Sequence, residues 1–149
     1  MSTVTVPASP ARPSESVAAQ VLADPAQRAF WLLRIGFTVA PILFGLDKFA
    51  HVLVNWDKYL APEFTDLFNA KAHTLMYAVG VIEIVAGLVV AVRPRFGGYL
   101  VAAWLAGIIV NLLMLGDFYD IALRDFGLLI GALALAQLAA APVVRQVRR

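Results

Sequence analysis

TLMYAVGVIEIVAGLVVAV, residues 74–92, holds one charged side chain, Glu83, in an otherwise apolar run. At 1.5 Å of rise per helical residue, a run of this length matches the bilayer's hydrocarbon core of about 30 Å. Lipid offers the backbone no hydrogen bonds, so the segment must satisfy its own and form a helix. Three further runs have the same character. They are about Ala29–Phe49, interrupted by Arg34; about Phe96–Leu115, without a charge; and about Phe126–Val144, also without one. The sequence therefore predicts an all-α protein, a bundle of four transmembrane helices spanning residues 28–144.

Composition agrees. Of 149 residues, 61% are hydrophobic and 15% charged, with a mean hydropathy of +0.79. Soluble domains average about 45–50% apolar and roughly 25% charged residues. The chain has no cysteine, which excludes disulfides, thiolate nucleophiles and Cys-ligated clusters. The basic residues form no stripe or aromatic-interleaved patch, so nucleic acid is not an expected partner.

Residues 1–27 are rich in Pro, Ser, Ala and Thr and read as a disordered tail, with a short surface helix possible over Ser14–Leu22. The tail lacks the pattern of a signal peptide. The link 50–73 carries Trp56, Tyr59, Phe64 and Phe68 and reads as interfacial, with helical turns at Asp57–Leu60 and Glu63–Ala70 around Pro62. Arg93-Pro94-Arg95 is a tight turn, Gly116–Asp125 a short acidic link, and 145–149 a basic tail.

Lys/Arg bias sets orientation. Arg12, Arg28, Arg34, Arg93, Arg95, Arg145, Arg148 and Arg149 fall on one side, and Lys48, Lys58, Lys71 and Arg124 on the other. The second side also collects most of the acids. A multi-pass protein of the cytoplasmic (inner) membrane with both termini in the cytoplasm is expected.

The polar residues share faces. Arg34, Thr38, Pro41, Gly45 and Lys48 line one side of the first helix, and Tyr77, Gly80, Glu83 and Gly87 one side of the second. Trp104, Gly107 and Asn111 line up on the third, and Gly127 and Gly131 on the fourth, with Asp125 at its outer end. Small residues let membrane helices approach, so Gly80, Gly87, Gly107, Gly127 and Gly131 are assigned to packing. Glu83 stands about ten residues from either end of its run. A carboxylate at that depth costs at least about 2.5 kcal/mol. It must be neutral, paired or facing water, and is the first candidate for chemistry; interhelical glue is the plainer reading. Arg34 is a ligand contact or a snorkelling arginine, and Asn111 a ligand contact or glue.

The outer mouth gathers Asp47, Lys48, His51, His73, Arg124 and Asp125. Asp47, His51 and His73 offer a weak alternative metal site, and His51 and His73 a bis-histidine haem b site. The plainer reading is two interfacial histidines without a ligand. Lys48 and Asp125 would pair at the lip.

Arg34, then Gly45-x-x-Lys48-Phe49, then Glu83-x-x-x-Gly87, a basic turn with Arg95, and a last helix opened by Arg124-Asp125 follow in order. This order resembles the DoxX-like family of small four-helix membrane proteins over roughly residues 28–140. The resemblance implies recurrent polar positions at Arg34, Lys48, Glu83 and Asp125. It also implies a redox-associated accessory subunit, linked by analogy to a thiosulfate:quinone oxidoreductase.

Three functions are therefore open. In the first, the bundle binds a quinone or other lipophilic ligand. Glu83 handles a proton, Lys48 or Asn111 hydrogen-bonds a carbonyl, and Arg34, Tyr77, Trp104 and Asp125 line the site. A protein partner then supplies the redox centre. In the second, the chain is a non-catalytic anchor for a partner protein or a homo-oligomer. In the third, Glu83 couples protons to transport of a small solute.

Overall fold

The computed structural model describes residues 24–141. The expected tail over residues 1–23, the helix at Ser14–Leu22 and the basic tail 145–149 lie outside the described residues. Among the described residues every regular element is helical: α1 (Pro25–Ala50), a 3-10 turn (Trp56–Tyr59), α2 (Pro62–Phe68), α3 (Ala72–Val92), α4 (Pro94–Leu115) and α5 (Tyr119–Leu138). Four of these, α1, α3, α4 and α5, are long and apolar enough to cross a membrane. The protein is a multi-pass membrane protein.

Local chemistry fixes the helix ends. Asp24 caps α1 by accepting a hydrogen bond from the Ala26 N–H at 2.9 Å, and Pro25 takes the first helical position. α1 thus begins in the stretch read as tail, because a charged and proline-bearing first turn dilutes hydropathy without opposing a helix. Between α3 and α4, Pro94 forces Arg93 out of the helical region, to φ −131° and ψ 72°. Gly116 ends α4 at φ 77°, a left-handed conformation that glycine adopts without steric cost.

α5 differs most from the sequence reading. It starts at Tyr119 rather than Phe126 and stops at Leu138 rather than Val144. Its first turns are amphipathic, with an exposed Arg124–Asp120 pair at 3.8 Å, so hydropathy alone reads them as a link. At its far end, Pro142 disfavours a helical conformation at the preceding residue. The turns of the long link also shift, to Trp56–Tyr59 and Pro62–Phe68.

The bundle is two antiparallel hairpins. α1 packs tightly on α3, and α4 on α5. α3 and α4 join the hairpins, whereas α1 meets α5 and α4 sparingly. Glycine makes the close approaches. A Cβ on Gly45 would stand 2.6 Å from the Gly80 carbonyl oxygen, and one on Gly80 2.8 Å from that of Gly45. The α1 and α3 backbones therefore touch. Gly98 does the same for α4 and α5, where a Cβ would meet the Ala132 carbonyl at 2.7 Å. Gly97 lies equally close to Val90 of α3, so these two glycines bring α4 against α3 and α5. Gly87 and Gly131 also pack as expected, but Gly107 and Gly127 face open space and are corrected from packing positions.

The apolar core occupies the end of the bundle where the described chain begins and ends. Phe30, Ala86, Val90, Val101, Ala102, Leu105, Ala132 and Leu135 fill it. The opposite half, toward residues 51–71 and here called the link end, is where the buried charges sit.

Gly45→Val is expected to destabilise the bundle by about 1–3 kcal/mol through overpacking, while Gly107→Ala and Gly127→Ala stay near wild type. Thermal unfolding of the purified variants in one detergent checks the contrast. Equal effects at all three positions would contradict the backbone contact.

Candidate functional site

α1 carries Lys48 near its end, level with Gly80 of α3. Because the two helices touch there, the lysine side chain turns into the bundle. Its ammonium donates to the Glu83 carboxylate at 2.6 Å. Both residues are buried, at 3% and 8% exposure. Neither charge is tolerable alone in an apolar span; together they form a short charge-assisted bond. This pairing corrects the expected Lys48–Asp125 contact. It also places Glu83 closer to the link end than its position within α3 suggests, since α1 stops at Ala50 only two residues beyond Lys48.

The link roofs the pair. Lys48 Nζ lies 3.9 Å from the centre of the Trp56 ring, a cation–π contact. The Trp56 indole N–H donates to Asp47 Oδ2 at 2.6 Å. Asp47 Oδ1 accepts the N–H groups of Val52 and Leu53, both at 3.0 Å. His51 closes α1 in the left-handed region, its N–H donating to the Asp47 carbonyl at 2.7 Å. One aspartate therefore ends the helix, folds the chain back and fixes the indole above its neighbouring lysine.

The second hairpin supplies two more groups. The Trp104 indole N–H of α4 is buried and turned toward the Glu83 carboxylate, its nearest acceptor, just beyond hydrogen-bond geometry. Asp125 of α5 lies within electrostatic reach of Glu83. It sits six residues inside its helix, roughly 9 Å of rise from Tyr119. Lys48, Glu83 and Trp104 thus meet from α1, α3 and α4 at the seam between the hairpins.

Three expected site residues are elsewhere. The Arg34 guanidinium donates to the Ala91 carbonyl in the last turn of α3 and lies 4.8 Å from the Trp31 ring centre. It satisfies a helix end that favours a cation, at the far end of α1 from Lys48. Asn111 uses both halves of its amide on the link. Its oxygen accepts the Ala61 N–H at 2.9 Å, and its NH2 donates to the Tyr59 carbonyl at 2.6 Å. It is a loop anchor rather than a contact for a ligand carbonyl. Tyr77 belongs to a cluster at the link end, stacked on Phe49 at 5.0 Å and bonded through its hydroxyl to His73 Nε2 at 2.7 Å.

The histidines do meet, but face to face, with centroids 5.0 Å apart and planes 19° from parallel. Bis-axial haem ligation needs ring nitrogens aimed at a common iron, and stacked rings do not present them so. His73 Nδ1 faces Asp57 Oδ2 at 3.2 Å. Asp47 is engaged by the link backbone and Trp56 instead of turning to the histidines. Among the described residues no group of three or more His, Asp or Glu side chains is placed to hold a metal ion. The open depression lined by Thr65, Asp66, Asn69 and Lys71 lies on the link, apart from the buried pair.

The functional residue missed in the sequence is Trp56, read there only as an interfacial aromatic. Its signal was proximity to Asp47-Lys48 across a short link. The chain matches no protein-family model, no curated protein and no solved structure. The DoxX-like resemblance therefore rests on its motifs alone.

Asn111→Leu is expected to release the link. Losing two hydrogen bonds to backbone at about 1 kcal/mol each opens the loop at least about tenfold more often. Limited trypsin digestion should then cut at Lys58 and Lys71 correspondingly faster, with the four long helices intact. An unchanged cleavage rate would show that Asn111 does not hold the link.

Proposed function

We propose that this chain is a DoxX-like accessory membrane subunit of a redox system that holds the headgroup of a quinone-class lipophilic ligand at the seam between its two hairpins. The observation that carries this reading is the buried Lys48–Glu83 pair at 2.6 Å between α1 and α3, with the Trp104 indole of α4 turned toward it. A quinone head is an apolar ring with carbonyl acceptors. Trp104 offers a buried N–H that makes no hydrogen bond. Lys48 has ammonium donors beyond the one given to Glu83. Glu83 is the acid beside them, and reduction of a quinone to a quinol consumes two protons with two electrons. The electrons come from a redox centre on a partner protein.

The Lys/Arg bias supports cytoplasmic termini, with the link on the opposite face of the cytoplasmic membrane. Because the chain has no cysteine of its own, single cysteines report orientation directly. A membrane-impermeant maleimide is expected to label Asn69→Cys on intact cells and Arg95→Cys only after lysis. The reverse pattern would invert the topology.

Ligand binding is tested on the full chain in mild detergent. Extracted lipid is expected to contain quinone, and a short-chain quinone should quench tryptophan fluorescence saturably. Trp104→Phe should remove most of that quenching, and Lys48→Met should weaken binding at least about tenfold, as expected for a hydrogen bond to a charged donor. Quinone-free extracts together with non-saturable quenching would reject the reading.

A further inference from the structure

The link leaves apolar side chains uncovered at both of its ends. At its entry, Val52 and Leu53 are 79% and 62% exposed, on a backbone that Asp47 holds in place. At its exit, Leu67 and Phe68 of α2 are 73% and 62% exposed. At about 100° per helical residue, Leu67 and Phe68 share one side of α2 with Phe64, and Asp66 lies on the other. α2 is therefore amphipathic, and the bundle leaves its apolar edge at Leu67 and Phe68 uncovered.

Principles of helix length and the ring contacts together set the level of these side chains. His51, just past the end of α1, stacks on His73 in the first turn of α3, with ring centres 5.0 Å apart. Phe49 stacks on Tyr77 further in. The end of α1 and the start of α3 are thus level. α3 has 21 residues, roughly 31 Å of helix, which matches the hydrocarbon core of about 30 Å. Its first turn therefore marks the membrane boundary, and Val52 and Leu53 sit beside it. α2 is tied to the same level at both ends. Before it, Ala61 is bonded to Asn111 in the last turns of α4, and after it only residues 69–71 separate Phe68 from α3. α2 lies across the helix ends instead of projecting into water. The lipid-facing side of α1, exposed at Leu46 and Phe49, runs on into Val52 and Leu53.

We propose that α2 is a membrane-seated helix, with Leu67 and Phe68 at the boundary between headgroups and acyl chains and Asp66 in water. The occupant of the apolar edge is the bilayer itself. Apolar area drives the insertion and charge does not, because the link sets three acids, Asp57, Glu63 and Asp66, against two lysines, Lys58 and Lys71. Lipid thus pins the link at both ends, and its middle, which carries Trp56 over Lys48, stays at the membrane surface. The apolar edge is then not the docking surface of a partner subunit. The inference stands independently of the quinone reading.

The chain has no cysteine, so single nitroxide labels go on Asp66→Cys, Leu67→Cys and Phe68→Cys, all at exposed positions that leave the core intact. Power-saturation electron paramagnetic resonance of the full chain is measured in nanodiscs of zwitterionic lipid, with no quinone added. It compares collisions with oxygen, which concentrates in lipid, and with a water-soluble nickel chelate. The labels replacing Leu67 and Phe68 are expected to favour oxygen, and the label replacing Asp66 the chelate. The same contrast is expected after anionic lipid is added. Chelate preference at all three positions would put the edge in water, and oxygen preference at all three would sink Asp66 with it. Low access to both agents at Leu67 and Phe68 would put the edge under a second copy of the chain, and a contrast that needs anionic lipid would make the seat electrostatic. Each of these results would overturn the proposal.

Discussion

An ammonium and a carboxylate 2.6 Å apart in an apolar interior impose the strongest constraint on this bundle. Separating them would leave a charge in a medium that cannot solvate it, so whatever holds α1 against α3 also holds the pair. The Gly45–Gly80 contact does this. With no Cβ on either side the backbones touch, and Lys48 reaches Glu83 across the crossing instead of snorkelling out. Trp56 then covers the lysine from above, and Asp47 holds Trp56.

The two halves of the bundle have different tasks. Toward the chain ends, alanines, valines, leucines and Phe30 pack a conventional core, and Arg34 finishes the last turn of α3. Toward the link, the hairpins meet through polar groups. A seam of this kind relies on hydrogen bonds between its side chains, because lipid tails provide no hydrophobic drive to close it. Its polar residues must be satisfied by one another, by protons or by a ligand.

The four crossings were legible because hydropathy and length leave a lipid-spanning segment little choice of structure. The depth of Glu83 and the inward polar faces were legible from helical spacing. What spacing along one helix cannot show is which partner a side chain meets on another. Position alone pairs Lys48 with Asp125 at the lip, yet the Gly45–Gly80 approach sends it to Glu83. Arg34 and Asn111 share faces with site residues but act at helix and loop ends, where backbone groups lacking helical partners attract them. Gly107 and Gly127 fit a small-residue pattern and touch nothing, whereas Gly97 and Gly98, which read as a helix start after a turn, make crossings. The early start of α5 was hidden by its exposed Asp120–Arg124 pair, whose charges lower hydropathy without opposing a helix.

A double-mutant cycle on Lys48 and Glu83 tests the central claim most directly. Stability of Lys48→Met, Glu83→Met and the double variant would be measured by denaturant titration in mixed micelles at pH 7. A buried ion pair predicts a loss of about 3 kcal/mol for each single variant, and a double variant that regains much of it once no lone charge is left. Strictly additive losses would mean that the two side chains do not meet inside the bundle.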